Sequence, residues 1–339
     1  MAASEQVPSD KKVRGFARSF VLLTALLLAS LSCRPADNEL WVLWWNVENL
    51  FDTVDDPTRD DDFTPEGRLA WTEKRLRAKF DSLALTVRDL PALPPLVALC
   101  EVEHKDLVET LFHQILERPD YRVTAFESPD ERGIDVALAW DPAHLRQIDA
   151  RPVAIALEGD TTRDILAATF ERTESGDRLY VFANHWPSRR NPPEVRMQVA
   201  QVLRREIDLL LENDPVADIL VLGDLNDEPE DPSVTEGLRA FTERQATAAQ
   251  PGALFNLWGL SKVPGTYVYR DDWNRLDHII VSPGLLDRQG YGLPRRGGFR
   301  VLRSDRLLRE GEPFRTYSRG KHQGGPSDHL PLLVRLREY

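Results

Sequence analysis

Short apolar runs recur along the chain at 41–45, 96–100, 136–140, 165–170, 179–183, 219–222, 279–281 and 330–336, each rich in Val, Ile, Leu or aromatic residues. Runs of this length, apolar at consecutive rather than alternate positions, predict strands buried on both faces. Three other stretches follow a helical period. Leu76, Phe80, Leu83, Val87 and Leu90 share one face, with Thr72 as candidate N-cap. Leu107, Val108, Leu111, Phe112, Ile115 and Leu116 form a second, and Val195, Val199, Val202, Leu203, Ile207 and Leu210, after Pro192 and Pro193, a third. The strands around Val136 and Ile165 succeed each other with no helix between them, which breaks regular βαβ alternation. Mixed β-sheets packed on one another with helices outside are therefore expected. No repeat and no Gly-, Ser- or Pro-rich linker divides residues 40–339, so one domain is expected there.

The N-terminal stretch reads differently. Lys11, Lys12, Arg14 and Arg18 precede an apolar run at 20–31, too short for a comfortable membrane span and in the order of a secretory signal. Ser30-Leu31-Ser32-Cys33 resembles the lipobox of bacterial lipoproteins, with the large aliphatic residue one place later than usual. Residues 1–33 are expected to be a signal peptide and lipidated Cys33 a membrane tether, with a released form or a retained anchor as alternatives. The expected location is the outer membrane or cell surface, or else the periplasm or medium. No obligate protein partner is inferred.

Charge narrows the function. The 43 Lys and Arg against 55 Asp and Glu give a formal net charge of −12. Removal of the basic leader makes the exported part more acidic still. A chain-wide basic surface of the kind that holds nucleic acid non-specifically is excluded, although a local basic groove is not. Cys100 ends an apolar run and reads as a buried, unreactive thiol.

Polar residues fall at the ends of the strands. Asn46, Glu101, His185 and the pair Asp224 and Asn226 each follow an apolar run, whereas Asp277-His278 and Ser327-Asp328-His329 precede one. If the last two strands run antiparallel to the others, all six groups meet at one edge. Carboxylates such as Glu101 and Asp328 suit a hard divalent cation, Mg²⁺ with Mn²⁺ as alternative, which completes its shell with water and substrate phosphate. Zinc is not expected, since no closely spaced His/Cys set is present. Gly223 is expected to let its loop approach substrate.

With these blocks in hand the chain resembles the endonuclease/exonuclease/phosphatase superfamily (DNase I-like), and most of all a bacterial branch whose members are often exported. The resemblance runs from Trp45-Asn46-Val47-Glu48-Asn49-Leu50-Phe51-Asp52, through Leu99-Cys100-Glu101-Val102-Glu103, Arg132-Gly133-Ile134-Asp135, Asn184-His185-Trp186-Pro187-Ser188-Arg189, Gly223-Asp224-Leu225-Asn226 and Leu276-Asp277-His278, to Ser327-Asp328-His329-Leu330-Pro331. It implies an α/β four-layer sandwich and metal-dependent cleavage of a phosphate ester. Carried onto this chain, it makes Glu101 the main metal ligand with Asn46 and Asp328 nearby. It pairs His329 with Asp277, sets His185 and Asn226 on the phosphate oxygens, and leaves the base role to Asp224 or His329. Cys100 departs from the glutamine that many relatives carry there.

The implied activity is a metal-dependent phosphodiesterase, an exported endonuclease in the first reading. Phospholipid headgroups, inositol phosphates or other small phosphate esters are the alternative. A catalytically silent binding module has no need of the full set of residues. Around this core, Arg189 is a candidate phosphate contact because a guanidinium fork matches phosphate oxygens. Asp135 is expected to orient His185 or to pair with Arg132. Glu103 and His104 read as solvated, and His278 as structural. Asp55-Asp56 and Asp60-Asp61-Asp62 read as a solvated acidic loop, with a second cation site as the alternative. Trp41, Trp44 and Trp45 read as core.

Overall fold

The structure, a computed structural model, describes Met1 and residues 38–157, 161–294 and 296–339. The expected signal peptide and Cys33 lie outside the described residues. Among the described residues no helix is long and apolar enough to cross a membrane.

Residues 38–339 form one compact unit built on two mixed sheets. The first contains β1 (Glu39–Leu50), β2 (Leu96–Val102), β3 (Arg122–Ala125) and β4 (Asp135–Trp140). The second contains β5 (Leu145–Val153), β6 (Ile165–Arg172), β7 (Arg178–His185), β8 (Ile219–Asp224), β9 (Ala240–Phe241) and β10 (Leu254–Asn256). A hairpin, β11 (Tyr267–Tyr269) with β12 (Asp272–Asn274), precedes β13 (Asp277–Val281), which returns to the second sheet. The chain then adds β14 (Tyr291–Gly292) and β15 (Phe299–Val301) to the first sheet. Two further hairpins follow, β16 (Leu308–Arg309) with β17 (Glu312–Pro313) and β18 (Tyr317–Ser318) with β19 (Lys321–His322), before β20 (Leu332–Glu338) closes the first sheet.

The strand orders are β14-β20-β1-β2-β4-β3, with β15 also on β20, and β5-β6-β7-β8-β13-β10-β9. Both faces of each sheet are covered, which is why the central strands read as unbroken apolar runs. Val42, Trp44, Ala98 and Leu138 of the first sheet pack on Phe170, Val181, Leu222 and Ile279 of the second. The intervening residues Leu43, Trp45, Val97 and Leu99 face outward onto Phe80, Leu83, Val108 and Phe112. On the other side Phe182, Val221 and Ile280 meet Val199, Leu203 and Ile207 of the helix Pro193–Asn213. Three buried layers of side chains thus separate helix, sheet, sheet and helix, the expected four-layer α/β sandwich.

The first expected helix is Glu73–Arg88, with Thr72 at the N-cap position but making no side-chain cap bond. The second begins as Lys105–Glu109 and widens into a π-helix over Thr110–Ile115. The third starts on Pro193 at its first turn, where a missing N–H costs nothing. The sequence reading passed over β5, whose side chains are mostly exposed on an edge and carry no apolar run.

Strand direction decides where the polar ends go. β1 and β2 are parallel, as are β7 and β8, so Asn46 lies beside Cys100 and His185 beside Asp224. β13 runs antiparallel to β8 and sets Asp277 opposite Asp224. β20 runs antiparallel to β1, so the segment leading into it arrives at the same edge. Gly223 serves packing here. A Cβ on it would stand 2.8 Å from both Asn184 Cβ and Leu225 Cδ2. Gly223→Ala should therefore lower stability by about 1–3 kcal/mol, measured by urea unfolding with activity assayed in parallel.

Candidate active site

At this edge the backbone leaves regular strand geometry. The β1 register shifts between Asn46 and Leu50, and the β2 register between Cys100 and Val102. Glu48, Asn49, Glu101 and Asn226 all hold left-handed φ values between 50° and 61°. Such bulges re-aim side chains, and non-glycine residues hold this conformation only where neighbours enforce it. The enforcing bonds are visible. Asn46 Oδ1 accepts the Glu48 amide at 2.9 Å, Glu101 Oε2 accepts the Asn49 amide at 3.0 Å, and Asp224 Oδ1 accepts the Asn226 amide at 3.0 Å.

Asn46 joins the two halves of the cleft. Its Nδ2 donates to Glu101 Oε1 at 3.2 Å and to Asp224 Oδ2 at 3.0 Å. Expected near the metal, Asn46 turns its amide hydrogens, not its oxygen, toward these carboxylates. His185 Nε2 lies 3.9 Å from Glu101 Oε1 and 3.9 Å from Asp224 Oδ2, and His329 Nε2 lies 3.8 Å from Asp224 Oδ2. Asn226 gives one amide hydrogen to the Trp186 carbonyl at 3.0 Å, which leaves the other for a ligand.

Behind His329 sits Asp277. His329 Nδ1 contacts Asp277 Oδ2 at 2.7 Å, Trp44 Nε1 donates to Oδ1 at 2.8 Å, and the Thr266 hydroxyl donates to Oδ2. The Tyr267 ring packs against His329 with centroids 4.7 Å apart. Trp44, expected as core, is therefore core and a donor to the site.

Burial pushes the Asp224 carboxyl up to about 7, with Asp277 adding to the rise while His329 and Asn46 oppose it. Burial also disfavours charge on His329, yet Asp277 and Asp224 hold it well above the ordinary imidazole range. Asp277 is held low despite burial, because His329, Thr266 and Trp44 all favour its anion. His185 goes the other way: burial and then the Arg163 guanidinium hold it well below its ordinary value, so it is neutral. Arg163 donates to the His185 and Trp186 carbonyls at 3.1 and 2.7 Å and pairs with Asp130 at 2.8 Å, fixing the end of β7.

A divalent cation would find Glu101 and Asp328 as its carboxylates. Burial raises Asp328 and the charge of Glu101 raises it further, while His329, Arg315 and Lys79 act against the rise. Arg132 Nη2 stands 3.9 Å from Glu101 Oε2, and Arg315 donates to Asp328 Oδ2 at 3.0 Å. Two carboxylates at one sheet edge are the kind of donor that a hard cation takes while it keeps part of its hydration. Ligand atoms of Asp224, Asp277 and His329 also lie within 4.8 Å of one another, but the His329–Asp277 hydrogen bond accounts for that closeness.

An endonuclease/exonuclease/phosphatase family model matches residues 41–338. The chain belongs to this family. Its members are hydrolases of the phosphoesterase type and generally depend on divalent metal. Among solved structures, the human Nocturnin catalytic domain with bound sulfate anion is 17% identical, with 89% of this chain and 96% of that chain covered at a TM-score of 0.55. A Bacteroides thetaiotaomicron mannosyl-6-phosphatase is 15% identical, covering 88% and 99% at 0.57. D. rerio TDP2 complexed with single-strand DNA product is 17% identical, covering 89% and 100% at 0.55. At these identities the likeness is one of fold. No curated protein matches the chain.

Several residues of the family site acquire tasks that the sequence did not disclose. Thr266 and Tyr267 hold the Asp277–His329 pair, and Arg315 holds Asp328. Thr316 and Tyr317 donate their amides to Glu48 at 2.6 and 3.1 Å. These blocks look family-like in sequence but carry no spacing that reveals a partner. Arg189 gives its donors to the Asn226 carbonyl at 2.9 Å, Asn274 Oδ1 at 2.9 Å and Asp231 Oδ2 at 3.3 Å, so it braces the Asn226 loop. Asp135 accepts the Ser128 amide at 3.4 Å, in place of the expected link to His185 or Arg132.

His278 is buried away from the candidate site residues. Its ring nitrogens meet Asn256 Nδ2 and the Asp227 carbonyl, each at 2.9 Å, which suits the neutral ring. Burial lowers it from 6.5 to about 4. Between these values the unfolded chain binds the proton that the folded chain refuses, so stability is present above about 6.5 and is lost as pH falls toward 4. Because buried carboxyls such as Asp224 titrate over the same range with the opposite sign, the measure is the difference in urea-unfolding stability between the parent and His278→Asn, which should shift against the parent as pH falls from about 6.5 toward 4.

Proposed function

We propose that the chain is an exported phosphodiesterase dependent on Mg²⁺, with Mn²⁺ as substitute, and that its substrate is nucleic acid. The observation that carries this reading is the meeting of Asp224, His185, Asn226 and the Asp277-backed His329 beside Glu101 and Asp328 at one sheet edge. Arg132 at the same edge, partly exposed, offers a guanidinium to a nucleotide chain. Lipidated Cys33 is the proposed tether, at the outer membrane or cell surface.

Hydrolysis brings a water oxygen onto an anionic phosphorus, so charge must be met where it develops. A cation on Glu101 and Asp328 supplies polarisation of a phosphate or leaving oxygen when bound. Asp224, poised near neutrality, takes the water proton as the new P–O bond forms and the P–O bond to the leaving oxygen breaks, the departing alkoxide taking a proton from solvent. Neutral His185 and the free amide hydrogen of Asn226 hold phosphate oxygens. His329 keeps Nδ1–H on Asp277, which turns Nε2 toward the cleft and sustains its positive charge beside the accumulating negative charge.

Asp277→Asn should cut kcat by about 100-fold or more while changing KM little, because it disturbs His329 and not substrate binding. Steady-state kinetics on bis-p-nitrophenyl phosphate measure the split, and a loss confined to KM would contradict it. The net charge of −12 favours a second reading, a phospholipid headgroup or small phosphate ester. The test is hydrolysis of plasmid DNA, RNA, bis-p-nitrophenyl phosphate and a choline phospholipid, each with chelator and with His329→Ala. Plasmid nicking abolished by both, with affinity falling steeply in salt, supports the nuclease. Turnover confined to the ester or lipid supports the second reading, and activity indifferent to both controls removes this site from the reaction.

A further inference from the structure

The segment after β1 is acidic, with Asp52, Asp55, Asp56, Asp60, Asp61 and Asp62, and reads from sequence as a solvated loop. The structure corrects that reading for part of it. Asp60 is 1% exposed and Glu103, just beyond β2, is 2% exposed. One ligand atom from each of Asp56, Asp60 and Glu103 lies within 4.8 Å of the others, and Asp52, Glu103 and His104 form an overlapping group of the same kind.

Hydrogen bonding leaves this group incomplete. Asp60 Oδ2 accepts the Asp56 amide at 3.1 Å, and Glu103 Oε2 accepts the Asp52 amide at 2.7 Å. The other oxygens, Asp60 Oδ1 and Glu103 Oε1, are buried and accept no hydrogen bond. A buried carboxylate oxygen without donor or counter-charge is strongly disfavoured. Among the described residues the ion pair to these three carboxylates comes from His104, at 2.8 Å from Asp56 Oδ2. His104, expected in solvent, is tied into the group on that side and to Glu127 on the other, at 3.5 Å.

We propose that Asp56, Asp60 and Glu103 hold one structural Ca²⁺ ion, separate from the cation of Glu101 and Asp328, that pins the 52–62 segment to the end of β2. Two buried carboxylates and a third, Asp56, that is partly exposed and can be joined by water match a cation that takes six to eight oxygens, waters included, in flexible geometry. Mg²⁺ retains several waters and one or two carboxylates, and a buried pair of bare oxygens does not suit it. The ion would act on the shape of the cleft. Glu103 donates its amide to the Leu50 carbonyl at 3.0 Å, which links the ends of β1 and β2 that carry Asn46 and Glu101. Arg59, within the same segment, donates its amide to the Glu131 carbonyl at 2.7 Å, beside Arg132.

The test uses the chelator-stripped full chain carrying Glu101→Gln, which removes the catalytic-edge ligand, titrated calorimetrically with CaCl2 and with MgCl2. Expected is one Ca²⁺ per chain and a Tm rise of about 5 °C at a hundredfold excess over Kd. Adding Asp60→Asn and Glu103→Gln should abolish uptake while leaving the ion-free Tm equal or higher, since repulsion is relieved. Should that variant fail to fold, Asp56→Asn decides, with Ca²⁺ expected to bind at least about tenfold more weakly. No uptake by the Glu101→Gln protein, uptake unchanged in the carboxylate variants, or Mg²⁺ binding as tightly as Ca²⁺ overturns the proposal. Phosphoester turnover is not the readout, so the outcome is independent of the reaction proposed above.

Discussion

A carboxylate buried between two sheets must be met by donors, and the donors that meet Asp277 decide how the edge is assembled. Trp44 comes from β1 in the first sheet, Asp277 from β13 in the second, and His329 from the segment entering β20. Thr266 adds a third donor from just before the β11–β12 hairpin. With one partner removed, a buried charge would remain underpaired, a larger loss than the bond itself. The same contacts that stabilise the anion therefore register one sheet against the other and fix the tautomer of His329.

The remaining geometry depends on backbone that is not regular. Bulges at the ends of β1 and β2 take the residues just after Asn46, and Glu101 itself, out of the ladder, and left-handed residues at Glu48, Asn49, Glu101 and Asn226 complete the turn into the cleft. Lys79 lies beneath this arrangement, fully buried, donating to the carbonyls of Glu48 and Pro326 at 2.9 and 2.7 Å and to the Thr316 hydroxyl. Burial lowers its ammonium to about 8, while Glu48, Asp328 and Glu101 act to keep it charged. One helix residue thus clamps both the turn after Asn46 and the loop before Asp328.

Strands and helices were legible because period and burial leave a direct trace in residue type. The runs at 41–45 and 219–222 are apolar at every position because both sheet faces are covered, and the helix Pro193–Asn213 announces itself by a 3.6-residue face behind a proline. The edge strand β5 left no such trace. The candidate site was legible through resemblance, which names residues but not their bonds. That Asn46 bridges Glu101 and Asp224 through Nδ2, that Arg189 braces the Asn226 loop, and that Gly223 makes room for Asn184 all follow from contacts between segments distant in sequence. The burial of Asp60 and Glu103 was illegible for the same reason: acidic residues near a turn look solvated until the fold covers them.

Electrostatics joins these features. The guanidiniums around the cleft are already engaged, Arg163 with Asp130, Arg189 with Asp231 and Asn274, and Arg315 with Asp328. They shape the walls and tune Asp328 and His185, but little of their charge is left to draw a polyanion toward an acidic protein. Under the proposed function, attraction for phosphate would come from short-range groups: the charged His329, the neutral donors His185 and Asn226, and a cation on Glu101 and Asp328. On that reading the site holds the scissile phosphoryl group first. Its reach beyond one phosphate depends on Arg132, half exposed and 3.9 Å from Glu101, whose guanidinium also meets Asn49 Oδ1. The position of Arg132 in turn is set by the segment that packs against the acidic loop after β1, so the buried carboxylates there and the catalytic edge are parts of one mechanical unit.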